Sequence, residues 1–184
     1  MPRRKRISDE AILDLALPIM TQAGPGGFTM ADLARAAGVA APTLFQRFGD
    51  KQALIERVFA RDNQRFVAWL EQLPAGTGVE AVVAIYAEAT KVFGDEPSMA
   101  DHLLWLREDI RNPVFNRLAL KRFKLFRAEI VKRLPPMRIS ADSAARLLDA
   151  QHHGAVIQWA LEPRGRLSDF VTKSLKAWFR LSGH

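Results

Sequence analysis

Side chains that could recognise the bases of double-stranded DNA are concentrated between residues 40 and 47. Gln46 matches adenine, because a side-chain amide both donates to and accepts from one base edge. Arg47 matches guanine, which presents two acceptors in the major groove. If Gln46, Arg47 and their neighbours lie on one exposed helix, their side chains could enter the major groove together. The residues expected to face it are Ala40, Ala41, Pro42, Thr43, Gln46 and Arg47. The alternative is that Thr43 is merely exposed and Arg47 forms a surface ion pair.

The surrounding residues predict the two short helices that such a segment needs. Thr29 is placed to cap the first helix, and Gly38 ends it with a residue that adopts the left-handed conformation at little cost. Pro42 suits the first turn of the second helix. Leu44 and Phe48, four residues apart, would anchor that helix to a core and leave the base-reading side chains on other faces. The pattern predicts a helix-turn-helix whose second helix recognises DNA.

Residues 7–60 resemble the DNA-binding domain of the tetracycline-repressor (TetR) family of bacterial regulators. The resemblance begins with a loose I-x-x-x-A-x-x-L-x-x-x-x-G pattern from Ile12 to Gly24. It continues with F-T-M-A-D-L-A-R-A-A-G-V, then T-L-F-x-x-F, then a D-K-x-x-L helix start. It covers less than a third of the chain but is specific in order and spacing. The remaining two thirds carries no recognised motif, as expected of a family whose ligand domains diverge.

The resemblance implies further contacts with the DNA backbone. Thr29 and Lys51 match phosphate-contacting positions of the family at two helix starts, where backbone N–H groups also face anions. Phe45 stands where the family usually has a tyrosine whose hydroxyl reaches a phosphate, a bond that phenylalanine cannot donate. Ala40 stands where a serine commonly caps the recognition helix. Phe45 is therefore expected at the DNA surface without that hydrogen bond.

A basic arm precedes the first predicted helix. Four consecutive cations could lie along phosphates or enter a minor groove, and they are Arg3, Arg4, Lys5 and Arg6. The alternative is a terminus that only increases solubility.

Composition is typical of a globular protein and excludes several classes of site. The 184 residues are 48% hydrophobic and 26% charged, with a net charge of +7. The absence of cysteine excludes disulfides, thiolate catalysis and cysteine-ligated metals. No apolar run approaches the roughly 20 residues that span a bilayer. We expect a cytoplasmic protein that has no cofactor and does not contact a membrane.

Apolar periodicity predicts an all-α fold of about nine helices, because no alternating run is long enough to indicate a sheet. We expect a three-helix DNA-binding domain at residues 1–50, a connecting helix at 51–73, and a helical effector-binding and dimerisation domain at 77–184. Thr77 and Glu80 predict a capping box at the start of the last domain. Asn112 and Ser140 are placed to cap two later helices.

The last two predicted helices carry a possible dimer interface. Small residues on the first would let a partner approach closely, and the second has a broad apolar stripe. The alternative is packing within one chain. The resemblance favours a dimeric four-helix bundle here, with a second recognition helix on the partner. The expected interface residues are Leu147, Gln151, Gly154, Ala155, Gln158, Phe170, Val171, Ser174, Leu175 and Trp178.

Large side chains with polar atoms suggest a ligand pocket in the second domain, although aromatic residues at helical spacing more often belong to a core. The candidates are Trp69, Tyr86, Phe93, His102, Trp105, Phe123, His152 and Trp159. A metal held by His152, His153 and His102 is a less favoured alternative, because neighbouring helical residues point about 100° apart.

The helix-turn-helix pattern predicts a DNA-binding protein, and the resemblance implies a ligand-responsive transcriptional regulator of the tetracycline-repressor type. We expect a repressor that binds a palindromic operator as a homodimer and is released by a small-molecule effector. One alternative is a constitutive DNA-binding protein without an effector. A helical enzyme is less favoured, because no phosphate-binding glycine loop, metal-ligand spacing or nucleophile–base pair is recognisable.

Overall fold

This computed structural model describes residues 7–93 and 96–183, but not the side chains of residues 25–26 and 92–101. The described residues form nine α-helices and one short 3-10 helix. These residues include no β-strand, and the prediction of an all-α fold is confirmed. The α-helices are α1 Asp9–Gly27, α2 Met30–Ala37, α3 Ala41–Phe48, α4 Lys51–Glu71, α5 Val79–Ala89, α6 Glu96–Arg111, α7 Pro113–Val131, α8 Ala141–Leu161 and α9 Leu167–Leu181. The 3-10 helix, Thr90–Phe93, follows α5. None of the described helices is long and apolar enough to cross a membrane.

The chain divides into two compact units. Unit one contains Met1–Phe66 and Asp101–Ala119, and unit two contains Val67–Ala100 and Leu120–His184. Helices α4, α6 and α7 therefore each contribute residues to both units. This division differs from the sequence expectation, in which all residues after 77 belong to the second domain.

Unit one is organised around one apolar core. Amphipathic spacing places one face of each of α1 to α4 in this core, which removes those side chains from water. Its buried residues include Ile12, Ala16, Met20, Phe28, Leu33, Leu44, Phe48, Leu54, Val58, Trp105 and Phe115. The guanidinium of Arg61 also joins α4 to α1, since its Nε and Nη2 atoms donate to Asp14 over 2.6 and 3.1 Å.

Unit two buries an apolar face of α5 against α9 and of α8 against α9. Fully buried aliphatic and aromatic side chains of these helices include Val82, Leu148, Val171, Leu175 and Phe179. Helix α8 is capped by Ser140, whose hydroxyl accepts from the N–H of Ser143, as predicted. Asn112 likewise accepts from the N–H of Val114 at the start of α7.

The predicted capping box at Thr77 and Glu80 is wrong. Gly78 is the N-cap of α5, with a φ of 95°, and no side chain caps this helix. The N–H of Gly78 donates to the carbonyl of Arg133 over 2.8 Å. This bond joins the start of α5 to residues following α7, and a positive φ at that position favours glycine.

Candidate nucleic-acid interface

The turn between α2 and α3 has the local geometry that the sequence predicts. Thr29 caps α2 by accepting from the N–H of Asp32 over 3.2 Å, and its hydroxyl donates to the Asp32 carboxylate over 2.5 Å. That hydroxyl, with Arg35, lowers the pKa of Asp32. Gly38 ends α2 in the left-handed region, with a φ of 64°. Ala34 is buried and accepts from the N–H of Val39 over 3.0 Å, which fixes the direction of the chain into α3.

Helix α3 has one buried face and one open face. Leu44 and Phe48 are buried in the unit-one core. Pro42, Phe45 and Gln46 are exposed, and 50% of the surface of Phe45 is accessible. Thr43 and Ala41 are half-buried beside them, and the exposed Ala40 is an N-cap without a side-chain hydrogen bond. The structure thus brings most of the predicted base-reading residues to one accessible surface, which we call the α3 outer face: Ala41, Pro42, Thr43, Phe45 and Gln46.

Arg47 does not share this face. Its Nε donates to Asp9 Oδ1 over 2.5 Å, and its Nη2 donates to the carbonyl of Ile7 over 3.0 Å. The side chain also forms an ion pair with Asp9 and is largely covered. This geometry argues against the expectation that Arg47 reads guanine, because the same donors would have to leave Asp9 and Ile7. Arg47 instead attaches α3 to the start of α1.

The start of α4 belongs to the same unit as α2 and α3. Asp50 accepts from the N–H of Ala53 over 2.8 Å and so caps α4. The Nζ of Lys51 lies 5.6 Å from the ring centroid of Phe28, a cation–π geometry. Arg3, Arg4, Lys5 and Arg6 lie outside the described residues.

Comparison with known proteins identifies this substructure. Residues 12–58 match the family model described as bacterial regulatory proteins, tetR family. This is a TetR-family DNA-binding domain. The matched residues contain all of α2 and α3 and most of α1, so the expected resemblance is confirmed. The prediction of a DNA-binding transcriptional regulator is confirmed, and regulators of this family are not enzymes.

Solved structures of bacterial regulators share the fold of nearly the whole chain. A TetR-family regulator from Mesorhizobium loti is 18% identical, with a TM-score of 0.73 and coverage of 94% of this chain and 95% of that one. A Rhodococcus transcriptional regulator is 15% identical, with a TM-score of 0.77 and 96% coverage of both chains. A Saccharomonospora viridis regulator in complex with choline is 20% identical, with a TM-score of 0.73 and coverage of 94% and 95%. At these identities the likeness concerns the fold alone. A search of curated protein sequences finds no match.

The predicted ligand-binding residues do not form one group. Trp105 belongs to the core of unit one, where its Nε1 donates to the carbonyl of Met20 over 3.2 Å and its ring meets Phe59 edge-on at 5.2 Å. Placing Trp105 in a second-domain pocket was therefore wrong. His102 also lies in unit one and is half-buried. The side chain of Phe93 lies outside the described residues.

The remaining ligand candidates lie in unit two. Trp159 is buried, and its Nε1 donates to the carbonyl of Gly165 over 3.1 Å, so it closes the α8–α9 connection. Phe123 contacts His153, with ring centroids 5.5 Å apart. Trp69 stacks on Phe126 at 6.2 Å, which brings it toward a buried polar cluster.

This polar cluster is centred on Asp149, a residue that the sequence interpretation missed. The hydroxyl of Tyr86 donates to Asp149 Oδ1 over 2.6 Å, and Arg127 Nε donates to Oδ2 over 3.1 Å. Arg127 Nη2 is also 3.1 Å from Oδ2. Tyr86 meets Phe126 edge-on at 5.2 Å and His152 at 5.0 Å. We call Tyr86, Phe126, Arg127, Asp149 and His152 the Asp149 cluster.

Burial controls the protonation of this cluster. It raises the pKa of the Tyr86 hydroxyl well above its ordinary value, and the negative charge of Asp149 acts in the same direction. Burial also lowers the pKa of His152 to about 3, with a smaller contribution from His153. Both rings are therefore neutral at physiological pH. Among the described residues, no three potential ligands are grouped to hold a metal ion.

Three of the predicted dimer residues are buried within the chain itself. Ala155, Val171 and Leu175 have almost no accessible surface within the single chain, in which α9 packs against both α5 and α8. They should be removed from the predicted interface. The amide of Gln151 donates to the hydroxyl of Ser174 over 2.7 Å and joins the outer edges of the two helices.

The other dimer candidates follow two accessible stripes. Leu147, Gln151, Gly154 and Gln158 recur at intervals of three or four residues on α8, and Leu161, 82% exposed, extends this stripe. On α9 the half-buried Phe170, Ser174 and Trp178 lead to Leu181, which is 91% exposed. A Cβ atom added at Gly154 would meet no heavy atom of the chain within 4 Å. These two stripes form the α8–α9 outer face.

Proposed function

We propose that this regulator is a ligand-responsive repressor that binds a palindromic operator as a homodimer. The main support for this proposal is the α3 outer face. The buried Leu44 and Phe48 anchor α3 in the unit-one core, and the α3 outer face is left accessible to the groove of a DNA duplex. A helix in this position of a helix-turn-helix domain enters the major groove, and its side chains read base edges. A repressor acts by occupying the DNA that RNA polymerase or an activator needs.

The α8–α9 outer face supports the homodimer. Exposed leucines at Leu147, Leu161 and Leu181 would be removed from water by a second copy. The open space over Gly154 allows a partner helix to approach closely. A two-fold axis through this face repeats the same contacts on both chains and supplies two recognition helices. Two such helices require two half-sites related by the same symmetry, which is a palindrome.

The Asp149 cluster and its aromatic neighbours support an effector site in unit two. Trp69 and Phe126 provide apolar surface, while Tyr86, Arg127 and Asp149 provide donors and a charge near it. A small molecule with an apolar body and a polar group could exchange contacts with these residues. The choline complex of the Saccharomonospora viridis relative gives one chemical class to test.

Helix α4 is the element through which an effector would act. It belongs to unit one up to Phe66 and to unit two from Val67. A ligand changes operator affinity only if it binds the DNA-competent and DNA-incompetent arrangements with different affinities. Its coupling to DNA is then reciprocal, so operator DNA weakens effector binding by the same factor.

Selection of random-sequence duplexes by the purified protein tests the DNA-binding proposal. We expect enrichment of a palindrome, and binding that weakens as salt rises because phosphates are neutralised. Deleting residues 2–6 should weaken specific and non-specific binding together and reduce the salt slope by up to about 0.9 per lost phosphate contact. Arg146→Ala, which removes an exposed arginine of α8 paired with Asp142, is the control and should leave the slope unchanged. If the deletion leaves the salt dependence of binding unchanged, the arm does not contact phosphates and serves only to increase solubility.

A thermal-shift screen of small organic molecules, with choline among the probes, tests the effector proposal. A true effector should raise the melting temperature and lower operator affinity, and both effects should saturate at the same concentration. Tyr86→Phe, which removes only the hydroxyl of the Asp149 cluster, should shift that concentration. If none of the molecules that stabilise the protein changes its operator affinity, the result favours a constitutive DNA-binding protein without an effector.

A further inference from the structure

The α3 outer face is mainly apolar. Phe45 is half exposed although it is a large hydrophobic side chain, and the ring of Pro42 is exposed beside it. Ala41 and the methyl group of Thr43 add smaller apolar surface at the same edge. Exposure of this apolar surface to water is unfavourable, and covering it with another apolar group lowers the free energy.

The same helix lacks an available reader of guanine. Arginine or lysine bonded to O6 and N7 is the commonest specific guanine contact. The structure describes every residue of α3, and Arg47 is the single cation among them. Its guanidinium is held by Asp9 and by the carbonyl of Ile7. Breaking these charge-assisted bonds would oppose any guanine contact that Arg47 could make.

The side chains that remain match A·T base pairs. Gln46 can bond in a bidentate manner to N6 and N7 of adenine, and alanine, threonine methyl and phenylalanine contact the C5 methyl group of thymine. Cytosine presents an N4 amino donor in the groove instead, and an apolar side chain would leave that donor without a partner. The α3 outer face is therefore complementary to thymine methyl groups and is poorly matched to cytosine.

We propose that this regulator selects operator half-sites in which α3 lies over A·T pairs, and that thymine methyl groups on Phe45 and Pro42 carry much of the discrimination. Gln46 reads an adjacent adenine. This inference rests on the proposed function, namely that α3 enters the major groove of an operator. It assigns Arg47 a positioning role, since Arg47 acts through α1 and not through a base.

Single replacements of thymine by deoxyuridine in the selected operator test this directly, because uracil keeps every hydrogen-bonding group and loses only the methyl. We expect roughly fourfold weaker binding at each contacted thymine, equivalent to the ~0.8 kcal/mol of one buried methylene-sized group. Phe45→Ala should weaken binding to the thymine operator and abolish the effect of uracil at one position while leaving it elsewhere. Circular dichroism checks that this variant, altered at a half-exposed site, keeps its fold.

The outcomes separate this inference from the proposed function. An enriched operator that tolerates uracil at every position overturns the thymine readout alone. The thymine readout is also overturned if the operator requires a guanine and the Arg47→Ala variant loses the preference for that guanine, because Arg47 would then read a base. Failure to enrich any DNA sequence overturns the proposed function and this inference together.

Discussion

Substitution of Gly154 by leucine is expected to separate the dimer while leaving each subunit folded. A Cβ atom at Gly154 would have open space around it, and leucine favours a helix interior over glycine by somewhat less than about 1 kcal/mol. At a close helix contact with a partner, the same side chain should overpack by about 1–3 kcal/mol. Two-fold symmetry applies this cost twice, so dimer dissociation should rise by about 30-fold to 10⁴-fold.

Loss of the dimer should also reduce operator affinity. Two linked recognition helices bind more tightly than one by an avidity factor of about 10²–10⁴, and a monomer loses that factor. Sedimentation and operator titration at matched concentrations measure both effects. Ala84→Leu, at an exposed position of α5, is the matched control and should change neither. A Gly154→Leu variant that remains dimeric, or a wild-type chain that is monomeric at micromolar concentration, would contradict the proposed interface.

Replacement of Asp149 by alanine is expected to destabilise unit two strongly. It removes the acceptor of the Tyr86 hydroxyl and leaves the guanidinium of Arg127 without its carboxylate. Removing one partner of a buried ion pair typically costs about 3–5 kcal/mol. We expect about 3 kcal/mol here, because Arg127 retains some access to water and that access reduces the penalty.

Urea denaturation followed by tryptophan fluorescence measures this cost. Asp142→Ala is the matched control, since Asp142 and Arg146 form an ion pair on the exposed surface of the same helix. It should cost less than about 1 kcal/mol. Tyr86→Phe should cost about 1 kcal/mol, and its effect should be smaller once Asp149 is already alanine, because the two residues share one hydrogen bond. Equal destabilisation by the Asp149 and Asp142 substitutions would show that the Asp149 cluster contributes little to stability.

Features of unit one that depend on residues close together in the sequence could be predicted from the sequence. The cap at Thr29, the left-handed turn at Gly38 and the buried pair Leu44 and Phe48 are all decided within a few residues. Local sequence contains the relevant information, because capping and helical spacing act over three or four positions. The helix-turn-helix can therefore be predicted in detail from the sequence alone.

Features that depend on distant residues could not be read in the same way. Arg47 pairs with Asp9, 38 residues away, so nothing local distinguishes it from an arginine free to meet guanine. Trp105 bonds to Met20 across 85 residues, which places it in the core of unit one. The failure at Thr77 has the same origin, because the tertiary bond from Gly78 to Arg133 decides where α5 begins.

Asp149 shows a signal that could have been recognised. It shares a helical face with the buried Ala145, Leu148 and His152, so its spacing places a carboxylate among apolar residues. A charged residue in that setting is rarely buried without a partner. The identity of the partner still required the structure, because Tyr86 is 63 residues distant.

The separation of the two faces of α3 has an evolutionary consequence. Exposed residues such as Pro42, Phe45 and Gln46 do not support the unit-one core, and surface substitutions of this kind usually change stability by no more than about 0.5 kcal/mol. Arg47, Leu44 and Phe48 keep the helix in place whichever residues point outward. Descendants of this protein could acquire new target genes through one or two changes in the outward residues, with no loss of the framework that presents them.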